Sequence, residues 1–377
     1  MAPPPPPGAT IGEYGARLGL VAMLSCLASW MERAAVDVAV ITHPVSIAYL
    51  TGFRAEPHER LMALVARPDR AVLVVPWLEE EAACGAARGV EVRAWRDGED
   101  PWRVVHGTLG RPRRLGVEKT HLTLSAWERL REVAGEGEPV DVGAEIRRLR
   151  ARKTPEEIAH LERAARITDE VAERTLRALE PGRMEVEVAA ALDLAIAASG
   201  AGISFATLVQ SGENTALPHR PPGTRRLRVG DLVLVDFGAA WEGYRADTTR
   251  TIVLGEPDAR QREFHRLVLE AHDAGIAAVR AGVTAGEVDE AARSVLREAG
   301  LGERFIHRLG HGLGLEPHEA PSLDPGGDTI LEAGMVVTIE PGVYIPGWGG
   351  IRIEDDVVVE LNGCRVLTRS SRGLGLG

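Results

Sequence analysis

Acidic side chains break into three otherwise apolar, strand-like runs in the C-terminal half of this 377-residue chain. Asp236 closes LVLVDF, Glu340 closes VVTIE, and Glu354 lies within GIRIEDDVVV. A carboxylate buried in such a setting is unfavourable unless it is paired or bound to a metal. Asp247 follows the turn-like WEGY, so a hairpin from LVLVDF can bring Asp236 and Asp247 together. His311 stands in GHGLG, where flanking glycines permit close backbone approach. Taken singly, each aspartate reads as a turn cap and the histidine as a structural residue. Gathered without a counter-ion, four carboxylates repel one another. Two divalent cations neutralise the four charges, and carboxylate oxygens can bridge neighbouring metals. The set therefore reads as a dinuclear metal site suited to hydrolysis. Its donors are oxygens with one nitrogen and no sulfur, which suits manganese, cobalt, iron or zinc. Seven positions separate His311 from His318, too many for the paired histidines of a zinc-binding helix.

The rest of the chain bounds what surrounds such a site. Its 45% apolar content supports a substantial core, and its formal charge of −11 argues against a nucleic-acid partner, which needs a basic face. Cys26, Cys84 and Cys364 are few and scattered, with no CxxC pair, so neither a disulfide framework nor a zinc knuckle is indicated and a reducing cytoplasm is the simplest home. Residues 1–12 read as a flexible Pro-rich tail. The apolar run LGLVAMLSCLASWM is too short for a membrane span and matches a signal-peptide core in length, but it continues through WMERAAVDVAVIT as a helix leading into a strand. No membrane partner is expected.

From 13 to 146, strands at Val36–Thr42, Ala71–Val75, Val90–Ala94 and Leu115–Val117 alternate with helices at Leu78–Ala87 and Leu124–Val133, an α/β layer arrangement. The domain junction is placed near residue 147. There Thr154, Pro155 and Glu157 form a capping-box signature, and Ile158, Leu161, Ala164 and Ile167 recur at helical spacing. From 147 to 377, helices at Val186–Ala198, Gln261–Ala281 and Gly286–Ala299 are segregated from strands at Leu232–Phe237, Ala246–Leu254, Met335–Ile339 and Gly350–Leu361. That is an α+β domain on an antiparallel sheet.

The segments around the five residues resemble the pita-bread metallopeptidase family, in its Xaa-Pro dipeptidase and aminopeptidase P branch. The match runs from about Asp37 to Thr368, and SIAYLTGF (Ser46–Phe53) resembles the creatinase/prolidase N-terminal domain. The resemblance implies an α+β pita-bread catalytic domain preceded by an α/β creatinase/prolidase-type domain. It further implies that Asp236 holds one metal, that His311 with Glu340 holds the other, and that Asp247 and Glu354 bridge them, with a water between the metals as nucleophile. By the same matching, Glu340 passes that water's proton to the leaving amine. His219 assists proton transfer, His318 stabilises the tetrahedral intermediate, and His307 marks the Xaa-Pro branch. Arg352 supports the metal-bridging region or the substrate carboxylate, and Tyr244 joins His307 and Arg352 as a substrate-binding candidate. The implied cofactors are two divalent ions, manganese ahead of cobalt, zinc or iron. The implied partner is a small peptide with proline second, acted on by a homodimer.

Two positions depart from the family pattern. Pro317 precedes His318 where an aliphatic residue is common, which stiffens the approach to that histidine. Ser322 stands where archaeal prolidases often carry an arginine that reads the dipeptide carboxylate, leaving that task to another arginine such as Arg352 or Arg60. The expected activity is hydrolysis of Xaa-Pro bonds, as a dipeptidase ahead of an aminopeptidase P. A creatinase-like non-peptide C–N hydrolase and a non-catalytic binding protein stand behind it.

Overall fold

The computed structural model describes residues 11–375, with the side chains of 11–21 left aside; most of the expected Pro-rich tail lies outside the described residues. The chain divides into two compact units, Met1–Arg150 and Ala151–Gly377.

In the first unit a helix at Ile11–Arg33 precedes a six-stranded sheet. Its central strand Val38–Ile41 pairs antiparallel with Ala63–Ala66 and parallel with Arg114–Val117. The strand Ala63–Ala66 escapes the sequence pattern because ALVA is only four residues long, although Pro68 and Asp69 mark the turn that follows it. Helices Pro101–Leu109 and Leu124–Ala134 each open on a side-chain cap, Asp100 to the Trp102 amide and Thr123 to the Ala126 amide. Val105, Leu109 and Leu130 share one apolar cluster with Val38, Val40 and Leu115 of the sheet.

The second unit opens with the capping box read from sequence. The Thr154 hydroxyl accepts from the Glu157 amide, and the Glu157 carboxylate accepts from the Thr154 amide at 2.8 Å, starting the helix Pro155–Arg177. This helix and Glu185–Ala198 cover one face of a three-stranded antiparallel sheet, Leu208–Ser211, Leu232–Phe237 and Thr248–Val253. Strand alternation does the sorting: Val233, Val235 and Phe237 enter the core beneath the helices with Ile167, Val171 and Leu192, so Asp236 takes the other face.

A second pair of helices, Ala259–Ala278 and Ala285–Glu298, covers a five-stranded antiparallel sheet. In it Val337, Ile339, Val357 and Val359 point toward Val268, Ala271, Val288 and Ala292. The long strand expected at Gly350–Leu361 is two strands, Gly349–Arg352 and Asp355–Glu360. The first pairs in a hairpin with Gly342–Ile345, and the second joins the large sheet beside Val336–Ile339. Ile353 and Glu354 occupy the break, which frees the Glu354 side chain from the ladder.

Candidate metal centre and active site

Each candidate ligand lies where a strand begins, ends or changes partner. Asp236 is the fifth residue of its strand and pairs with Thr249 across the ladder. Asp247 immediately precedes Thr248–Val253, after a tight turn at Glu242–Gly243 whose two residues both take positive φ. Its amide donates to the Asp356 carboxylate at 3.0 Å. His311 occupies the short strand Gly310–Gly312. A Cβ at Gly310 would lie 1.9 Å from the Thr338 carbonyl oxygen, and one at Gly312 2.2 Å from that of Ala320. Glycine is therefore required on both sides of the histidine by close strand approach.

The strand carrying Thr249 is tied to the break carrying Glu354. Thr249 Oγ1 donates to Glu354 Oε2 at 2.5 Å. Behind them Arg250, 1% exposed, donates from Nη1 to the carbonyls of Thr249 and Glu354 and from Nη2 to Asp355. Arg352 is equally enclosed: Nη2 donates to Asp236 Oδ2 at 2.5 Å, Nε to the Thr249 hydroxyl and Nη1 to the Tyr344 hydroxyl, both at 2.9 Å. The Tyr344 hydroxyl lies 3.0 Å from His307 Nε2. His307 Nδ1 is 2.7 Å from the Arg308 carbonyl, which fixes the proton on Nδ1 and leaves Nε2 to accept from the tyrosine.

The five residues gather at one place. One ligand atom from each of Asp247, His311 and Glu354 lies within 4.8 Å of the other two, and all three residues are buried. His311 Nε2 is 3.3 Å from Glu340 Oε1 and 3.8 Å from Asp247 Oδ2. Because Nδ1 faces the Gly312 carbonyl at 3.1 Å and donates to it, Nε2 presents a lone pair to those carboxylate oxygens. Acceptors facing acceptors are repulsive. Asp236 Oδ1 and Asp247 Oδ1 are buried without a protein hydrogen-bond partner.

The electrostatics agree. Burial first, then the charges of Glu354 and Asp236, push the Asp247 carboxyl well above the usual carboxylate range. Burial, Glu340 and Asp236 do the same to Glu354. Burial raises Glu340 to about 7 against the opposing pull of Arg352. Burial and the neighbouring His318 lower His311 to about 3, so its imidazole is neutral, as ligation requires. Lone pairs, orphaned oxygens and repelling carboxyls all call for cations, and the donor set fits divalent ones.

A cavity of about 350 Å³ opens on this cluster. His219, His307 and His318 line it together with Arg308, Arg352 and all five candidate ligands, and Phe205, Leu208 and Pro317 give it an apolar wall. The His318 ring packs edge-on to His311 at 4.1 Å between centroids. Pro317, the departure noted in the sequence, is part of the wall itself.

One sequence candidate lies elsewhere. Tyr244 does not line the cavity. Its hydroxyl bonds the Glu157 carboxylate at 3.0 Å and its ring stacks on His160, because its two-residue strand faces the helix Pro155–Arg177. The tyrosine bonded to cavity-lining residues is Tyr344, through His307 and Arg352. Arg60, in the first unit, pairs with Asp97 at 2.9 Å and with Glu59.

Arg308, which the sequence pattern does not single out, also lines the cavity. Its Nη1 donates to the Ser322 hydroxyl at 2.9 Å, and His311 and Ser322 are register partners on adjacent strands. Among the described residues no carboxylate is paired with it.

A fold with two units and a clustered carboxylate–histidine centre defines a two-domain metallohydrolase. The chain belongs to metallopeptidase family M24, which it matches over residues 159–360, and its first unit matches the creatinase/prolidase N-terminal domain over residues 23–152. It is 38% identical to a Xaa-Pro dipeptidase of Lactobacillus helveticus over 359 residues, covering 93% of this chain and 98% of that one. Among solved structures it is similar to a Xaa-Pro dipeptidase from Bacillus anthracis (TM-score 0.88, 36% identity, 94% and 99% of the two chains). A prolidase from Pyrococcus furiosus matches with a TM-score of 0.85 and 37% identity, over 92% and 100% of the two chains. The protein is a metallopeptidase of the two-domain creatinase/prolidase type.

Proposed function

We propose that this metallopeptidase is a Xaa-Pro dipeptidase: it cleaves the bond before proline in dipeptides that carry a free C-terminal carboxylate. The observation that carries the dipeptide reading is Arg308, a guanidinium on the cavity wall bonded to the neutral Ser322 hydroxyl rather than to a carboxylate. In a cavity that also holds four carboxylates, it offers two N–H donors to one planar anion. The relatives named for dipeptidase activity support the same reading.

Asp236, Asp247, His311, Glu340 and Glu354 would hold two divalent cations, with manganese the favoured pair for this oxygen-rich set. When bound, these ions supply the positive charge that lowers the pKa of a water and polarises the scissile carbonyl. The side chains do the rest. Glu340 takes a proton from the attacking water and delivers it to the departing proline nitrogen. His219 assists that transfer from the cavity mouth, and His318 donates toward the oxygen that gains charge in the tetrahedral species. Arg352, held by Asp236, Thr249 and Tyr344, keeps the Asp236 carboxylate oriented. The apolar wall of Phe205, Leu208 and Pro317 excludes water beside a proline ring, whose nitrogen carries no N–H and whose φ is fixed.

A homodimer is part of the same proposal and follows the family resemblance; size-exclusion chromatography with light scattering checks it. Exposed free thiols at Cys26 and Cys84 favour a reducing cytoplasm. Among the described residues no helix is long and apolar enough to cross a membrane.

The deciding experiment compares manganese-loaded protein on an Ala-Pro dipeptide, its C-terminal amide and the tripeptide Ala-Pro-Ala. Cleavage confined to the free dipeptide is the expected result. Preference for the tripeptide would overturn the dipeptidase reading in favour of aminopeptidase P activity.

A further inference from the structure

His219 is an exposed side chain on an irregular segment, yet it lines the cavity beside the candidate ligands. An exposed histidine on unpaired backbone holds one place only if that backbone is fixed, since ordering each residue opposes about 1–2 kcal/mol of chain entropy. The fixing group is fully buried. Gln210, 0% exposed, sends its amide nitrogen to the carbonyls of Leu217 at 2.9 Å, Pro218 at 3.3 Å and Arg220 at 3.0 Å. These three carbonyls bracket His219 on both sides. Only an NH₂ group can face three acceptors, so the chemistry fixes the orientation of the amide. The side-chain oxygen is left buried without a partner.

The clasp is anchored to the metal-binding strand itself. Gln210 lies on Leu208–Ser211 and pairs with Leu234, while Leu208 pairs with Asp236. A second buried residue fastens the segment on either side. Glu185, also 0% exposed, accepts from the amide and hydroxyl of Ser211, from Asn214 Nδ2 and from the Gly223 amide, all at 2.7–3.0 Å.

We infer that Gln210 is a positioning residue for His219: its buried amide sets where the imidazole stands relative to the strand that carries Asp236. The inference rests on reading His219 as a proton-handling residue of the proposed peptidase, and it adds the group through which that residue is held. Gln210→Met keeps length and volume but removes the donors. Gln210→Ser leaves room for a water that can replace them in part. Gln210→Glu sets oxygens against three carbonyls.

The test is a double-mutant cycle on kcat with Gln210→Met and His219→Ala, combined with hydrogen exchange of the peptide spanning 216–222. Gln210→Met is expected to lower kcat about 10- to 100-fold in the otherwise native protein, the scale of a misplaced reacting group. In the His219→Ala background it is expected to cost less than about twofold, because the group it positions is gone. Exchange at 216–222 rises while metal content stays unchanged, with Gln210→Ser milder and Gln210→Glu more severe. Additive losses in the cycle, or unchanged exchange in Gln210→Met, overturn the inference. If His219→Ala alone keeps native turnover, the reading of His219 fails, and exchange at 216–222 still decides whether Gln210 holds the segment.

Discussion

His311 Nε2 lies 3.3 Å from Glu340 Oε1 with its lone pair toward the carboxylate, an arrangement that only a shared proton or a cation makes favourable. Stability in the absence of metal must therefore depend on pH in a definite direction. Burial holds the Glu340 carboxyl at about 7 in the folded chain, far above an unfolded glutamic acid. Between those values the folded state binds more protons than the unfolded one. The contribution of this carboxyl to stability is fully present below its unfolded value and is lost as pH rises through 7. Chelator-treated protein is expected to melt several degrees lower at pH 8 than at pH 6. Manganese-loaded protein should show little such drop, because cations replace the protons. Equal slopes of Tm against pH with and without chelator would contradict this account.

Neutralising one ligand should separate stability from activity. Asp247 is buried among like charges, so Asp247→Asn removes a repulsion while keeping shape and the backbone bond to Asp356. Turnover is expected to fall by about a thousandfold or more, the scale on which metal-dependent hydrolysis fails without its ions. Bound metal measured by elemental analysis drops with it. The chelated variant should nonetheless melt above the chelated native protein, since one of four clustered charges is gone. A lower Tm there would show that Asp247 is held by interactions other than repulsion and metal.

The two tyrosines give a matched pair. Tyr344→Phe leaves Arg352 Nη1 and His307 Nε2 facing each other across an empty position in a buried site. An unsatisfied buried polar group costs about 1–3 kcal/mol, so the variant should lose several degrees of Tm and about tenfold in kcat. Tyr244→Phe removes the bond to Glu157, away from the cavity, and should leave kcat and KM within about twofold, as changes far from the chemistry do. Equal losses in the two variants would put Tyr244 back at the site.

That contrast marks where the sequence was readable. Acids at the ends of apolar strands, the Thr154 capping box and the glycines around His311 are local signals, and each is found on the element the sequence indicated. Tyr244 closes WEGY, between Asp236 and Asp247 along the chain. Its position in space depends instead on which helix its short strand faces. Tyr344 had a signal that reading Gly350–Leu361 as one strand concealed. Once GVYIPGWGGIR is a hairpin, Gly342 pairs with Arg352 and Tyr344 with Gly350, and alternation puts Tyr344 and Arg352 on one face. Arg308 and Gln210 carry no such pattern. Arg308 meets Ser322 only through a strand register that shifts at a bulge after His311, and Gln210 meets its carbonyls only through a folded loop.

Arg308 yields the sharpest test of substrate choice. A charge-assisted hydrogen bond from a part-buried guanidinium to a carboxylate is worth about 1.5–3 kcal/mol, a factor of roughly 10 to 150 in affinity. Arg308→Met should therefore raise KM for Ala-Pro by that factor with a smaller change in kcat, since the contact is made in the ground state and the transition state alike. The amide of Ala-Pro has no terminal charge to lose, so its already poor KM should barely move. Free dipeptide and amide then become equivalent substrates. Arg308→Lys should recover only part of the loss, because a single ammonium does not reproduce a two-pronged guanidinium. Placing the missing arginine back with Ser322→Arg in the Arg308→Met background should restore dipeptide preference from the adjacent strand. If Arg308→Met instead lowers kcat equally on all three substrates, Arg308 acts on the chemical step and the carboxylate is read elsewhere.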